Sequence, residues 1–304
     1  MRATERQDTG GPLPEALRQA IRGTADDIAT LLRSAPATTA AVPGSEWTIG
    51  EAAAHLAMVN ELMADLAAGR ERPYGDGTPQ SLAPANARAL AAFGERRAQP
   101  LAAMITEQAD AFLAAVDRAT VDRAAVDRAA SGTTDADTGG SAEASDAGAS
   151  DAPTLITPLG PMNRAVLASY LLTHMLGHGY DLARALRRPH MLDGDRVGLC
   201  MPFILSVMPR VADPAAVARR TARYCVRLRG GGTVFGVDLA DGAVVVVEGR
   251  PERPDCTLHI DPVAFLLIAL GRRAPWRAMA RGQVFARGRE PWLGPRFPAL
   301  FTAP

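Results

Sequence analysis

Residues 171–188 read LLTHMLGHGYDLARALRR, and the rest of the chain is arranged around them. The stretch carries His174 and His178, two of only five histidines. On a helix, four residues advance the chain by about 400°, so the two imidazoles leave the same face roughly one turn apart. That spacing lets two imidazoles share one metal ion, and a site of this kind needs a third protein ligand. The third is sought elsewhere, in TIGEAAAHL (residues 48–56), where His55 is spaced with Val59 and Leu62 so as to face the core. An inward histidine fits a packed core position as well as a ligand position, and both readings stand at this point. Around His174 and His178 the apolar residues Val166, Leu167, Tyr170, Leu171, Met175 and Leu182 wrap most of the circumference of a helix over 163–188. Such a helix is central and buried.

The chain before this helix is also helical. Leu17, Ile21, Ile28, Leu31 and Leu32 recur at helical spacing over 13–34. After a Pro-bounded linker, Thr48 and Glu51 form a capping box that opens a second helix running to Gly69, with Trp47 as a staple before the cap. The stretch RERPYGDGTPQS (70–81) is a loop. One long helix is expected from Pro84 to Ala130, with a break at Pro100, ending in the charged run VDRATVDRAAVDRAA (116–130). Residues 131–150, SGTTDADTGGSAEASDAGAS, hold no apolar side chain larger than Ala and are read as a disordered insertion. LITPLGPM (155–162) is extended, and 197–211 is a further helix carrying Pro202, with Asp193 as a helix cap.

From Ala222 the rhythm changes. Four short strands are expected at 224–230, 233–238, 243–248 and 256–261, separated by Gly- or Pro-rich turns. A helix over 262–270 stops at Gly271, a strand covers 282–288, and Trp292–Phe301 closes the unit. The fold class expected is therefore mixed: a helical bundle over 12–212, then a small α+β unit over 220–304.

Bulk properties narrow the function. Length of 304 residues suits about two domains, and 47% hydrophobic residues supply a core. The charge balances at 33 basic and 33 acidic residues, which gives no general attraction to nucleic acid or an anionic membrane. Every basic residue is Arg, which removes lysine Schiff-base chemistry and fits a GC-rich coding sequence. The start, MRATERQDTGG, lacks the apolar core of a signal peptide, and no apolar run is long enough to span a bilayer. Cys200, Cys225 and Cys256 are isolated and odd in number, pointing to a reducing cytoplasm and to inert core thiols.

These residues together carry a resemblance. WTIGEAAAHL (47–56), TPLGPM (157–162) and HMLGHGYDLARA (174–185) resemble the mycothiol-dependent maleylpyruvate isomerase family, within the DinB-like superfamily of metal-binding four-helix bundles. The segment 255–261, the Gly271-Arg272 helix end and GQVFARG (282–288) resemble the sterol-carrier-protein-2-like (SCP2-like) domain that often follows it. The resemblance implies a metal held by a histidine on the second helix and by a Glu and a His four apart on the later one. His55 and His178 match, and His174 stands where the family has Glu. A neutral nitrogen there gives a three-histidine set, sound for Zn2+ or another divalent ion, with a more positive centre that favours an anionic fourth ligand.

By the same resemblance the chain is expected to be a metal-dependent transferase or isomerase. Three protein ligands leave an open position where a thiol would be deprotonated. The thiol comes from a cofactor, mycothiol, and attacks a small electrophile, compatible with an actinobacterial source. Asp181 either orients a ligand imidazole or pairs with Arg184 or another surface arginine. Arg184 and Arg272 are the expected cofactor-binding residues, and Arg272 or Arg273 could clamp a carboxylate, although a solvated role suits an Arg-rich chain equally. The expected partners are a small electrophile and a low-molecular-weight thiol, with the chain a monomer or homodimer in the cytoplasm. Two other classes remain open: a carrier of lipid or another apolar ligand through the SCP2-like part, and a metalloprotein without turnover.

Overall fold

A computed structural model describes residues 11–76, 78–131, 154–218, 220–230 and 232–302. The insertion reading of 131–150 falls outside these residues apart from Ser131, as does the reading of the N-terminal tail up to residue 10.

The helical part begins with α1 (Glu15–Arg33) and α2 (Ile49–Ala67). α2 starts where it does because Thr48 and Glu51 satisfy each other's backbone: Glu51 N donates to Thr48 Oγ1 at 3.3 Å, and Thr48 N donates to Glu51 Oε2 at 2.8 Å. This cap fixes the helical phase and carries His55 inward two turns later. α3 (Pro79–Ala92) and α4 (Ala98–Ser131) follow. The single helix expected over 84–130 is therefore two helices, and the break lies at 93–97 and not at Pro100. Pro100 sits in the first turn of α4, where a missing N–H forfeits no helical bond. The interruption is held by Arg96, whose guanidinium donates to the carbonyls of Leu90 (2.8 Å), Phe93 (2.5 Å) and Glu95 (2.7 Å). The VDR run is helical, and Val121 and Val126 on it are exposed.

A short hairpin, β1 (Leu155–Thr157) with β2 (Gly160–Met162), leads into α5 (Arg164–Ala185), capped by the Asn163 side chain accepting from Val166 N. α1, α4, α2 and α5 pack in a ring, each against the next, and form a four-helix bundle. α2 and α5 run antiparallel: Arg164 Nε donates to Ala67 O at 3.0 Å at one end, and the Trp47 and His178 rings lie 5.9 Å apart at the other. α6 (Gly194–Val207), capped by Asp193, continues as a 3-10 turn, Met208–Val211, and α7 (Pro214–Val217).

α6 contains Pro202, which disturbs the helical ladder from within. The Phe203 N–H follows this proline directly. It donates to Ser169 Oγ at 3.1 Å, and that hydroxyl donates onward to Leu199 O at 2.8 Å. Ser169 of α5, itself fully buried, is thus spliced into α6 and ties the two helices together. Ser169→Ala removes both of these hydrogen bonds, and the expected cost is about 1–3 kcal/mol of stability. Urea denaturation of the two proteins checks it; an unchanged midpoint would show the splice to be energetically idle.

The remainder is a five-stranded mixed sheet. β3 (Ala222–Leu228), β4 (Val234–Ala240) and β5 (Ala243–Glu248) form an antiparallel meander. β6 (Cys256–Ile260) then returns parallel to β3, and β7 (Val284–Arg287) pairs antiparallel with β6, giving the order β5-β4-β3-β6-β7. Between β6 and β7 run α8 (Pro262–Ala269) and α9 (Pro275–Ala280), and a 3-10 segment, Pro291–Leu300, covers the end. α8 packs on α6, joining the sheet to the bundle. Gly271 has φ +71°, and its turn lets Arg272 N and Arg273 N both bond Leu267 O, which swings Arg272 back toward α5. Among the described residues no helix is long and apolar enough to cross a membrane.

Candidate metal centre

The bundle brings the three histidines together. α2 contributes His55, which is 3% exposed, and α5 contributes His174 and His178 from adjacent turns. His55 Nε2 and His174 Nε2 are 3.1 Å apart, and ring centroids are separated by 5.1 Å (His55–His174), 4.9 Å (His55–His178) and 4.7 Å (His174–His178). Each residue can offer one nitrogen such that all three lie within 4.8 Å of one another. A tetrahedral ion with metal–nitrogen bonds of about 2.0–2.1 Å separates its ligand nitrogens by about 3.4 Å, so the pair from two different helices is already near ligand spacing.

The protonation states suit the same use. Burial pushes the His55 imidazole well below its ordinary pKa, with His178 and Arg272 adding to the effect. Burial does the same to His174, helped by His178, His55 and Arg272. His178 is also lowered by burial, against the opposing pull of Asp181. At neutral pH all three rings are therefore neutral and keep a lone pair for a cation. His55 Nδ1 and His174 Nδ1 are buried without a hydrogen-bond partner. Only His178 has the carboxylate neighbour usual for a ligand histidine: its Nδ1 is 3.5 Å from Asp181 Oδ2. The donor set and its spacing fit Zn2+ or a similar divalent ion.

Asp181 does not pair with Arg184. Its Oδ2 meets Arg272 Nη2 at 3.0 Å and Nε at 3.3 Å, so the arginine comes from the segment after α8, 91 residues away. Burial raises the Asp181 pKa, but the His178 and Arg272 contacts outweigh it and hold the carboxyl below its ordinary range. Arg272 Nη1 also donates to Leu270 O at 2.6 Å. Close approach of this segment to α5 depends on Gly177, where a Cβ would lie 3.1 Å from Leu270 Cδ1. Arg184 is exposed, its guanidinium 5.7 Å from the Tyr180 ring, and Arg273 bonds Gln283. Asp181 thus touches both a histidine ring and an arginine, in one chain of contacts, His178–Asp181–Arg272.

The histidines border a cavity of about 700 Å³. Its walls include residues that periodicity did not single out for the site. Trp47, expected as a staple, stands 4.8 Å from the His55 ring and 5.9 Å from the His178 ring. Tyr170, Phe203 and Leu270 also line it. Position before a helix cap was the one available signal for Trp47, and it is ambiguous between the two roles. The cysteines lie elsewhere in the core, with burial raising Cys200 to about 12, Cys256 to about 11, and Cys225 above its ordinary value, so none is a thiolate at neutral pH. His190 is exposed, and His259 stacks on Phe285 at 4.7 Å; neither joins the group.

A family model described as the SCP-2 sterol transfer family matches residues 206–288, from the last turn of α6 through β7. No curated protein matches the chain. Among solved structures, the mycothiol-dependent maleylpyruvate isomerase is similar at 12% identity over 90% of this chain and 93% of that one, with a TM-score of 0.45. A histidine-to-alanine mutant of that enzyme gives 0.47 at the same identity and coverage. The inverting sec-alkylsulfatase Pisa1 from Pseudomonas sp. is similar at 13% identity over 46% of this chain, with a TM-score of 0.30, and the chain spans about a quarter of its length (24%).

Proposed function

We propose that the chain is a metal-dependent thiol transferase or isomerase, holding Zn2+ or another divalent ion at His55, His174 and His178 and using a low-molecular-weight thiol as cofactor. The observation that carries this reading is the convergence of three neutral imidazoles on the wall of a 700 Å³ cavity. Bound there, the ion supplies one thing, acidification of a thiol that takes its remaining position. The chain's own thiols are buried and protonated, so the sulfur comes from outside. The sequence resemblance nominates mycothiol.

The protein's residues do the rest. Asp181 holds the His178 ring through Nδ1, which leaves Nε2 as its donor nitrogen, and Arg272 fixes Asp181. Trp47 packs against the His55 ring and Tyr170 meets the His174 ring edge-on. Arg184 and Arg272 line the cavity and can meet an anionic group of the cofactor. In the addition, a sulfur–carbon bond forms as the electrophile's π bond opens. If the conjugate is kept, the thiol's proton ends on the neighbouring carbon. If the carbon–sulfur bond breaks again after rotation, the thiol is returned and the double bond is isomerised. Three unpaired cysteines fit a reducing cytoplasm.

Zinc-loaded protein incubated with mycothiol and a generic unsaturated electrophile tests this. Accelerated thiol consumption or double-bond isomerisation over a metal-stripped control is the expected result; none with any thiol tried would reject the reading. The SCP-2 match favours a second one, a carrier of an apolar ligand. Lipid extracted from purified protein that holds no metal would decide for it.

A further inference from the structure

The cavity beside the histidines changes character along its length. Because α2 and α5 are antiparallel, the residues lining it fall into two ends. Glu46, Asp181, Arg184 and Arg272, its charged residues among those described, all sit toward the start of α2 and the end of α5. The opposite end is lined by Leu62 and Leu66 of α2, Leu167 and Tyr170 of α5, and Phe203 of α6. Leu82 of α3 lies on the same wall, as does Tyr74. Tyr170 and Phe203 stack there with centroids 4.3 Å apart and planes at 11°, and Tyr170 meets His174 edge-on at 6.4 Å. The polar groups at this end are largely engaged: the Tyr74 hydroxyl donates to Asn86 Oδ1 at 2.5 Å, and Thr173 Oγ1 donates to Ser169 O at 2.7 Å. A carboxylate placed there would lose its water and gain no cationic partner, whereas an aromatic ring would meet ring and alkyl walls.

We infer that the electrophile is an apolar, aryl-bearing compound whose body fills this ring-walled chamber, while the polar thiol occupies the charged end. The two reacting atoms then meet at the histidines, which lie between the ends. The chemical role rests on the thiol-transfer reading; the chamber's preference for an apolar ring does not, since no metal is needed to bind one there.

The test therefore has two arms. In the first, N-phenyl-1-naphthylamine is titrated by fluorescence into EDTA-treated full-length protein, wild type beside Leu82→Glu and Tyr170→Ala. Leu82 is half-buried on the peripheral α3, so the first variant adds a charge with little demand on the core, and circular dichroism checks both folds. Saturable binding to wild type, weakened about tenfold or more by Leu82→Glu and less by Tyr170→Ala, is expected. No saturable binding, or binding insensitive to both variants, overturns the inference and leaves thiol transfer standing. In the second arm, zinc-loaded protein with a fixed thiol is given an aryl vinyl ketone or maleate. A kcat/KM at least about tenfold higher for the aryl substrate supports the inference; equal values or preference for maleate overturn it. Binding in the first arm with no turnover of either substrate in the second rejects thiol transfer, and with it the electrophile's place in the chamber.

Discussion

Replacing His55 or His174 by alanine is expected to abolish stoichiometric zinc binding, with affinity falling by more than the roughly 100-fold that marks the upper range for losing a mere outer-sphere partner. The two residues come from different helices, and their Nε2 atoms face each other at 3.1 Å. Removing either leaves two imidazoles, too few for a protein-held ion with one open position. The fold should survive, because each ring now carries a buried Nδ1 with no hydrogen-bond partner. Alanine removes that unsatisfied atom along with the ring, so the cavity left behind is partly offset. The useful measurement is elemental analysis together with thermal melting in zinc and in EDTA. Zinc at about 100 times its dissociation constant would stabilise the wild type by about 2.7 kcal/mol, and both variants should forfeit that increment while matching the wild type in EDTA to within the cavity cost. Zinc retained at one equivalent in either variant would show that the three rings are a packed core and nothing more.

Much of this site was open to sequence reading because it depends on local rules. The spacing of four places His174 and His178 on one face of α5 whatever surrounds it, and the Thr48–Glu51 cap sets the phase of α2 so that His55, Val59 and Leu62 turn inward together. The change from helical to alternating pattern near Ala222 likewise marks where β3 begins. The features that were not legible are those decided by contacts between distant segments. Arg272 reaches Asp181 only because Gly271 reverses the chain after α8 and Gly177 lets Leu270 approach α5; spacing along α5 pointed to Arg184 instead. The gap between α3 and α4 is held by one guanidinium bonding three carbonyls, and Pro100, the conspicuous breaker, is harmless in a first turn. Ser169 carries no spacing or capping signal in the sequence, and its bonds to Leu199 O and Phe203 N of the next helix appear only once the two helices pack.

Asp181→Asn is expected to weaken zinc binding by about 10- to 100-fold, the range for losing the carboxylate behind a ligand histidine. Among the three histidines only His178 has such a partner, at 3.5 Å, so the loss falls on the one ring whose orientation is fixed by an anion. The same carboxylate takes both Nε and Nη2 of Arg272. Removing its charge therefore leaves a cation facing the site without compensation. Arg272→Ala separates the two effects. Arg272 disfavours positive charge at all three imidazoles, and by the same Coulombic sign it opposes a bound divalent ion. Its removal should leave zinc affinity unchanged or tighter, and it should restore part of what Asp181→Asn loses when the two are combined. Competition titrations against a chromophoric chelator on the two single variants and the double variant give the coupling directly. If Asp181 and Arg272 were only a structural clamp between the bundle and the segment after α8, both single variants would lower the melting temperature and neither would move zinc affinity. Opposite signs for the two would instead make Asp181 a positioning residue for His178, with Arg272 limiting how strongly its charge is felt.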